Sequence, residues 1–313
     1  MPRRTFKSTA SGSLLLTLLQ CSAILQVPTN KYKHYQTVSI GKEEISNKDP
    51  SRNVRQHAAS RERLLALLGG DEGTLPRCNQ QWEARNTTMA DREQIIISTR
   101  NLLASLPSHV TLVAAAKFHS PEEVLAAVEA GVKVVGENYV QEARRMVDVV
   151  GRRVRYHMIG KLQKNKVKHA VDLFDLIETV DSWGLAEVID KRCAAVRHTL
   201  PVLVEINSGL EENKSGVLPE RAEDVVRRMR SLKHVRVQGL MTMAPLSDKA
   251  EEYRPYFRQT KELFDHLASA RIPGIEMRHL SMGMSDSYRV AIEEGATIIR
   301  LGTAIFGPRP PRN

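Results

Sequence analysis

The sequence predicts an α/β fold, a single (β/α)8 TIM barrel over residues 89–313, and three observations predict it. Eight short runs of β-branched or apolar residues recur at near-regular spacing, at 111–116, 133–137, 155–159, 174–180, 201–206, 236–242, 276–280 and 296–301. Helical patterns separate them, so neighbouring strands have crossovers between them and run parallel. Eight such units in roughly 225 residues is the length of a closed barrel and exceeds what an ordinary open sheet needs.

Each element has its local reason. A helix over roughly 91–105 precedes the first strand. After the first strand, Ser120, Pro121 and Glu123 make a capping box with Pro at the first helical position. Val124, Leu125 and Val128 then form one apolar face, and Gly131 ends the helix. Asp181 and Ser182 open another helix, in which Leu185, Val188 and Ile189 face inward. Pro219 starts a helix that runs to Leu232, Glu251 to Ala270 is the longest, and a last one spans Ser285 to Glu294 before Gly295. In such barrels the chemistry gathers at the C-terminal ends of the strands, and phosphate commonly sits in the loops after strands seven and eight.

Residues 1–88 read differently and are expected to be disordered or no part of the native protein. Arg3, Arg4 and Lys7 precede an apolar stretch, Leu14 to Val27, and the first acidic residue is Glu43. Three readings stand open: translation that truly starts at Met89, an acid-poor organellar presequence, and a secretory signal. From Asn47 to Thr88 the chain is polar, with one apolar patch at Leu64–Leu68.

The formal charge of +10 is concentrated in that segment. It holds 13 basic and 7 acidic residues, against 33 and 29 in the remainder. The barrel is therefore only mildly basic, and it carries no helix-turn-helix, zinc-finger or RNP signature, which argues against nucleic acid as a partner. Cys21, Cys78 and Cys193 are far apart and odd in number, so neither a disulfide framework nor a zinc site is expected, and a reducing compartment is. No apolar run reaches the roughly 20 residues that span a bilayer. The expected location is cytoplasmic, or mitochondrial if residues 1–42 are a presequence.

Several motifs fall at one barrel mouth. Lys117 ends the first strand, Asn138 follows the second, and His157 stands near the end of the third. Met241 ends the sixth strand, SMGMS (281–285) the seventh, and RLGT (300–303) the eighth. A half-desolvated lysine has a depressed pKa and is a nucleophilic amine able to form an imine. Gly283 and Gly302 let backbone N–H groups approach a ligand, Ser281, Ser285 and Thr303 add hydroxyls, and the start of the last helix adds a positive dipole end. Arg300 lies in the apolar strand Thr297–Leu301, where an unpaired guanidinium is costly. An imine-forming amine with a distal phosphate grip suits pyridoxal 5'-phosphate (PLP). An Arg on the pyridine nitrogen would keep it unprotonated and weaken the cofactor as an electron sink. His157 and His279 read more readily as strand-end hydrogen-bonding residues than as bases. Lys214 is a second candidate amine, and the basic loop Lys161–Lys168 is an anion site or a solvated face.

At these residues the chain resembles the YggS/PROSC family of pyridoxal phosphate homeostasis proteins. The resemblance rests on VAAAK (113–117), GENYVQE (136–142), HMIGKLQKNK (157–166), NKSG (213–216), GLMTMAP (239–245), SMGMS (281–285) and RLGTAIFG (300–307). It implies the PLP fold-type III barrel of the alanine racemase N-terminal domain, with Lys117 as the imine lysine. It implies a phosphate grip at Ser281, Met282, Gly283, Ser285, Gly302 and Thr303, Arg300 on the ring nitrogen, and Asn138 near the ring. His157 and Met241 complete the expected cofactor contacts. Ala116 and Ser287 depart from the family, which often has Ser or Thr and an acidic residue there.

The expected function is a monomeric PLP carrier serving PLP homeostasis, with apo PLP-dependent enzymes as further partners and no dedicated turnover. The alternative is an amino-acid racemase. Racemisation needs two positioned bases. In the resembling racemases the second comes from a C-terminal β-domain, for which the residues after Gly307 leave no room.

Overall fold

The computed structural model describes residues 16–19, 22–29, 34–39 and 76–308, with side chains from Asp91 onward. The chain divides into two compact units, Met1–Asn79 and Gln80–Asn313. The first contains an antiparallel sheet of β1 (Leu16–Leu19), β2 (Ser22–Thr29) and β3 (His34–Ser39), in that order. The apolar stretch from Leu14 thus contributes two paired strands, Leu16 opposite Leu25. The Leu64–Leu68 patch lies outside the described residues.

The second unit is the expected barrel. Its strands are β4 (Thr111–Ala115), β5 (Val134–Glu137), β6 (Arg155–Met158), β7 (Leu176–Val180), β8 (Leu200–Ile206), β9 (Val235–Thr242), β10 (His279–Ser281) and β11 (Ile298–Leu301). All pair in parallel and in sequence order, and β11 closes on β4 with Arg300 opposite Val113 and Leu301 opposite Ala114. The seventh strand is the one most displaced from its expected range. Glu276 and Arg278 bond through their N–H groups to Val237 and Gln238, but regular pairing begins only at His279.

The helices follow their signals. Helix α1 runs Pro76–Ser105, well upstream of the expected start at 91. No Gly or second Pro interrupts that stretch, and Pro76 has the φ preset for a first helical turn. Arg92 of α1 pairs with Glu129 of α2 (Pro121–Ala130). The capping box of α2 is complete: Glu123 N–H donates to Ser120 Oγ at 3.3 Å and Ser120 N–H to the Glu123 carboxylate at 2.7 Å. There follow α3 (Val140–Val150), α4 (Val167–Leu173), α5 (Trp183–Ala195) with Ser182 as N-cap, α6 (Pro219–Met229) and α7 (Arg254–Ser269). The last two, α8 (Tyr288–Glu293) and α9 (Thr303–Phe306), are short. No described helix is long and apolar enough to cross a membrane.

Strand alternation splits the core in two. The larger part lies between strands and helices. The smaller fills the barrel with Val113, Val134, Ile159, Leu176, Leu203, Met241 and Ile298. Two residues further along their strands, Leu176, Leu203 and Ile298 give way to Glu178, Glu205 and Arg300. The apolar plug therefore ends in a charged layer at the mouth.

Candidate functional site at the barrel mouth

Arg300 is 4% exposed, and each Nη makes one hydrogen bond. One Nη donates to Ser281 Oγ at 2.6 Å and the other to the Thr242 carbonyl at 2.9 Å. Ser281 Oγ–H in turn donates to Glu178 Oε2 at 2.6 Å, and the other Glu178 oxygen meets His157 Nδ1 at 2.7 Å. The Arg300–Glu178 ion pair itself spans 3.9 Å. Four strands, β6, β7, β10 and β11, thus meet in one buried polar chain, with the β9 main chain at its end. Burial pushes Glu178 upward, but its bonds to His157 and the Arg300 charge outweigh this and hold it below the usual carboxylate range. Burial pushes Arg300 down, against the pull of Glu178 and Glu205. Glu205, across the mouth, is raised to about 7 by burial and by Asp181, despite Arg300 and Lys161.

Lys117 follows β4 and is half-buried. Its Nζ lies 4.9 Å from the Phe118 ring and 5.9 Å from the Tyr139 ring. Because β4 and β11 are paired, the Lys117 turn and the loop Gly302–Thr303 leave neighbouring strands at the same end. Asn138 is half-buried at the end of β5. The loops after β10 and β11 are tied together, since Ala304 N–H donates to Ser285 Oγ at 3.3 Å. Among the described residues, none accepts from the backbone N–H of Asp286, Gly302 or Thr303.

The two mouth glycines differ in purpose. Gly283 has φ +92, and a Cβ there would sit 2.6 Å from Ala291 Cβ, so this glycine serves close packing against α8. Gly302 has an ordinary negative φ, and its nearest neighbour to an added Cβ would be the Ala115 carbonyl at 3.4 Å. No described residue requires glycine there, which leaves space beside N–H groups that no described residue accepts from.

The residues expected at the phosphate grip stand in different surroundings. Ser281 is buried in the Arg300 network, and the Met282 N–H is taken by the Ile298 carbonyl. Met241 packs in the barrel plug. The dipole of the last helix does not start at Ser285, because α8 begins only at Tyr288 and is six residues long. Ser287 closes the intervening turn by accepting from Met284 N–H at 3.1 Å. Of the basic residues, Lys214, Lys161, Lys164 and Lys168 are exposed. Glu178 escaped sequence reasoning, although its signal was the one that singled out Arg300: a charge inside an apolar strand, here Leu176–Val180.

Residues 91–310 match the family described as alanine racemase, N-terminal domain. The pyridoxal phosphate homeostasis protein of Aquifex aeolicus is 42% identical over 199 residues, covering 63% of this chain and 86% of that protein. The chain belongs to this family. Its Schizosaccharomyces pombe member is 36% identical over 205 residues, covering 64% of this chain and 85% of its own length. Among solved structures, PipY of Synechococcus elongatus with PLP bound has a TM-score of 0.63 and 33% identity. That match covers 68% of this chain and 100% of PipY. Alanine racemase of Clostridium difficile, at 15% identity and a TM-score of 0.60, shares the fold over 71% of this chain and 58% of its own.

Proposed function

We propose that this chain binds PLP at the barrel mouth and serves PLP homeostasis. The observation that carries the reading is the pairing of Lys117 at the end of β4 with the open N–H groups of Gly302 and Thr303 at the end of the neighbouring β11. When bound, PLP supplies an aldehyde that condenses with a primary amine, releasing water, and a ring able to withdraw electrons. Lys117 provides that amine, with the Phe118 and Tyr139 rings beside it. The backbone around Ser285–Asp286 and Gly302–Thr303 takes the phosphate, as N–H groups with no other acceptor do. Arg300 presents a guanidinium toward the ring nitrogen. Ser281, Glu178 and Thr242 hold that guanidinium still, so Ser281 serves through Arg300 more than through the phosphate. His157 orients Glu178. Asn138 would stand beside the ring, with Met241, Met282 and Gly283 supporting the mouth from within the packed core.

Borohydride reduction of the PLP-loaded protein, followed by peptide mapping, tests the assignment. A label on Lys117 is expected; a label on Lys214 or Lys161 with Lys117 unmodified overturns it. The absence of dedicated turnover is part of the proposal and rests on the homeostasis role named for the relatives. Incubation with L-alanine should leave its chirality unchanged while the absorbance of the amine-bound cofactor persists; racemisation at enzymatic rates would make the chain a racemase.

The same reading makes residues 89–313 the PLP-binding unit, monomeric and cytoplasmic, and a donor to apo-enzymes. A chain starting at Met89 should melt within a few degrees of the full chain and titrate with PLP alike. A large loss of either assigns the preceding residues a structural role.

A further inference from the structure

The turn that carries Lys117 is strained and clamped. His119 N–H donates to the Ala116 carbonyl at 2.9 Å, closing the four-residue turn Ala116–His119. Its third residue, Phe118, has φ +69. Turns with positive φ at that position select Gly or Asn, and a bulky residue there is a genuine outlier. Such strain persists only where the surroundings over-determine it. Phe118 is 45% exposed, so its own burial is a weak source of that determination.

The next residue contributes to it. The His119 side chain is only 4% exposed. Its ring stacks on Phe306 with centroids 4.3 Å apart and planes at 26°. Its Nδ1 meets Glu123 Oε1 at 3.1 Å, while the other oxygen of that carboxylate caps α2 at Ser120 N–H. His119 therefore touches two fixed bodies. One is the N-terminus of α2; the other is α9, whose first residue, Thr303, lies in the proposed phosphate loop. A capping-box carboxylate shared with a stacked histidine leaves the turn little freedom.

We propose that His119 is a positioning residue that locks the strained Lys117 turn to the phosphate-end helix and so fixes the reach of the lysine amine. This rests on the reading of Lys117 and Gly302–Thr303 as the two ends of the PLP site. It explains why the outlier falls one residue after the functional lysine. Each contact is geometric, and neither uses a residue placed against the cofactor.

The test compares His119→Ala with His119→Phe, which keeps a ring for the Phe306 stack. Two quantities are measured in the full chain: hydrogen exchange of the turn amides without PLP, and the rate at which added PLP is captured by the lysine, followed by absorbance. Turn-amide exchange in His119→Ala should be about tenfold faster or more, and capture about tenfold slower, as expected when a reacting group loses its fixed orientation. His119→Phe should restore most of both, and circular dichroism should show both variants folded. Unchanged exchange in His119→Ala overturns the clamp. Faster exchange with an unchanged capture rate overturns the positioning role. A failure of both variants alike, with a lowered melting temperature, reduces His119 to a folding residue. The Lys117 assignment is judged apart from these, by the borohydride label in the unaltered protein. Should that label fall elsewhere, the exchange data still decide whether the turn is clamped.

Discussion

Glu178 and Glu137 are both almost wholly buried, at 0% and 1% exposure, and they sit in two different parts of the same barrel. Glu178 points into the barrel, between His157 and Ser281, with Arg300 beyond. Glu137 follows Gly136, whose missing Cβ would collide with the interior residues Val113 and Ile159, so alternation turns Glu137 to the helix side. There both its oxygens lack a hydrogen-bond partner among the described residues. The consequence is that the two carboxyls are shifted in opposite directions. Partners hold Glu178 below the usual range, whereas burial, aided by Glu142, pushes Glu137 up to about 8. Burial alone does not decide whether a carboxyl is charged; the groups that meet it do. Inside the barrel the chain has assembled those groups at the mouth. In the outer layer it tolerates a protonated acid and loses stability for it as pH rises.

Breaking the inner arrangement should have the largest effect. Glu178→Ala leaves the buried Arg300 guanidinium without its carboxylate and should cost about 3–5 kcal/mol, read by urea unfolding. A loss below about 1 kcal/mol would mean that Ser281 and the Thr242 carbonyl suffice.

The two mouth glycines sharpen the same contrast between packing layer and mouth. Gly283→Ala places a Cβ against α8 at a positive φ, and should lower stability by about 1–3 kcal/mol. Gly302→Ala should leave stability within about 0.5 kcal/mol, as at sites away from packing features. Its methyl instead occupies the space beside the Gly302 and Thr303 N–H groups, so PLP titration should show affinity reduced by about tenfold, the loss of roughly one hydrogen bond. Equal effects of the two substitutions on melting, with PLP affinity untouched, would move the phosphate elsewhere.

The smallest effect is expected from Glu137, as a slope with pH. Its folded-state pKa lies above the unfolded value, so its contribution is fully present below about pH 4.5 and is lost as pH rises toward 8. The slope is at most about 1.4 kcal/mol per pH unit. Glu137→Gln removes this titration, so its unfolding free energy should gain on that of the parent from pH 5 to pH 8. Parallel curves across that window would show that Glu137 finds a partner in solution.

Much of this was legible in the sequence, and the reason is locality. Strand count and order follow from apolar runs and the capping signals between them, which short-range sterics and burial impose on contiguous residues. Lys117 at a strand end and Arg300 within an apolar strand stood out on the same grounds. The upstream reach of α1 to Pro76 was missed because its polar first half lacks periodicity, though nothing in it breaks a helix.

The pairings were settled elsewhere. Ser281 and Glu178 are 103 residues apart, and Arg300 finds Thr242 across 58. His119 meets Phe306 only because β11 closes on β4. That Gly283 serves α8 while Gly302 faces open space depends on where a short helix happens to pack. Sequence alone thus determined which barrel strands form, in what order, and which side chains were too costly to be bystanders. Barrel closure decided which of those side chains meet, because contacts between distant residues depend on register and curvature that no local stretch of chain encodes.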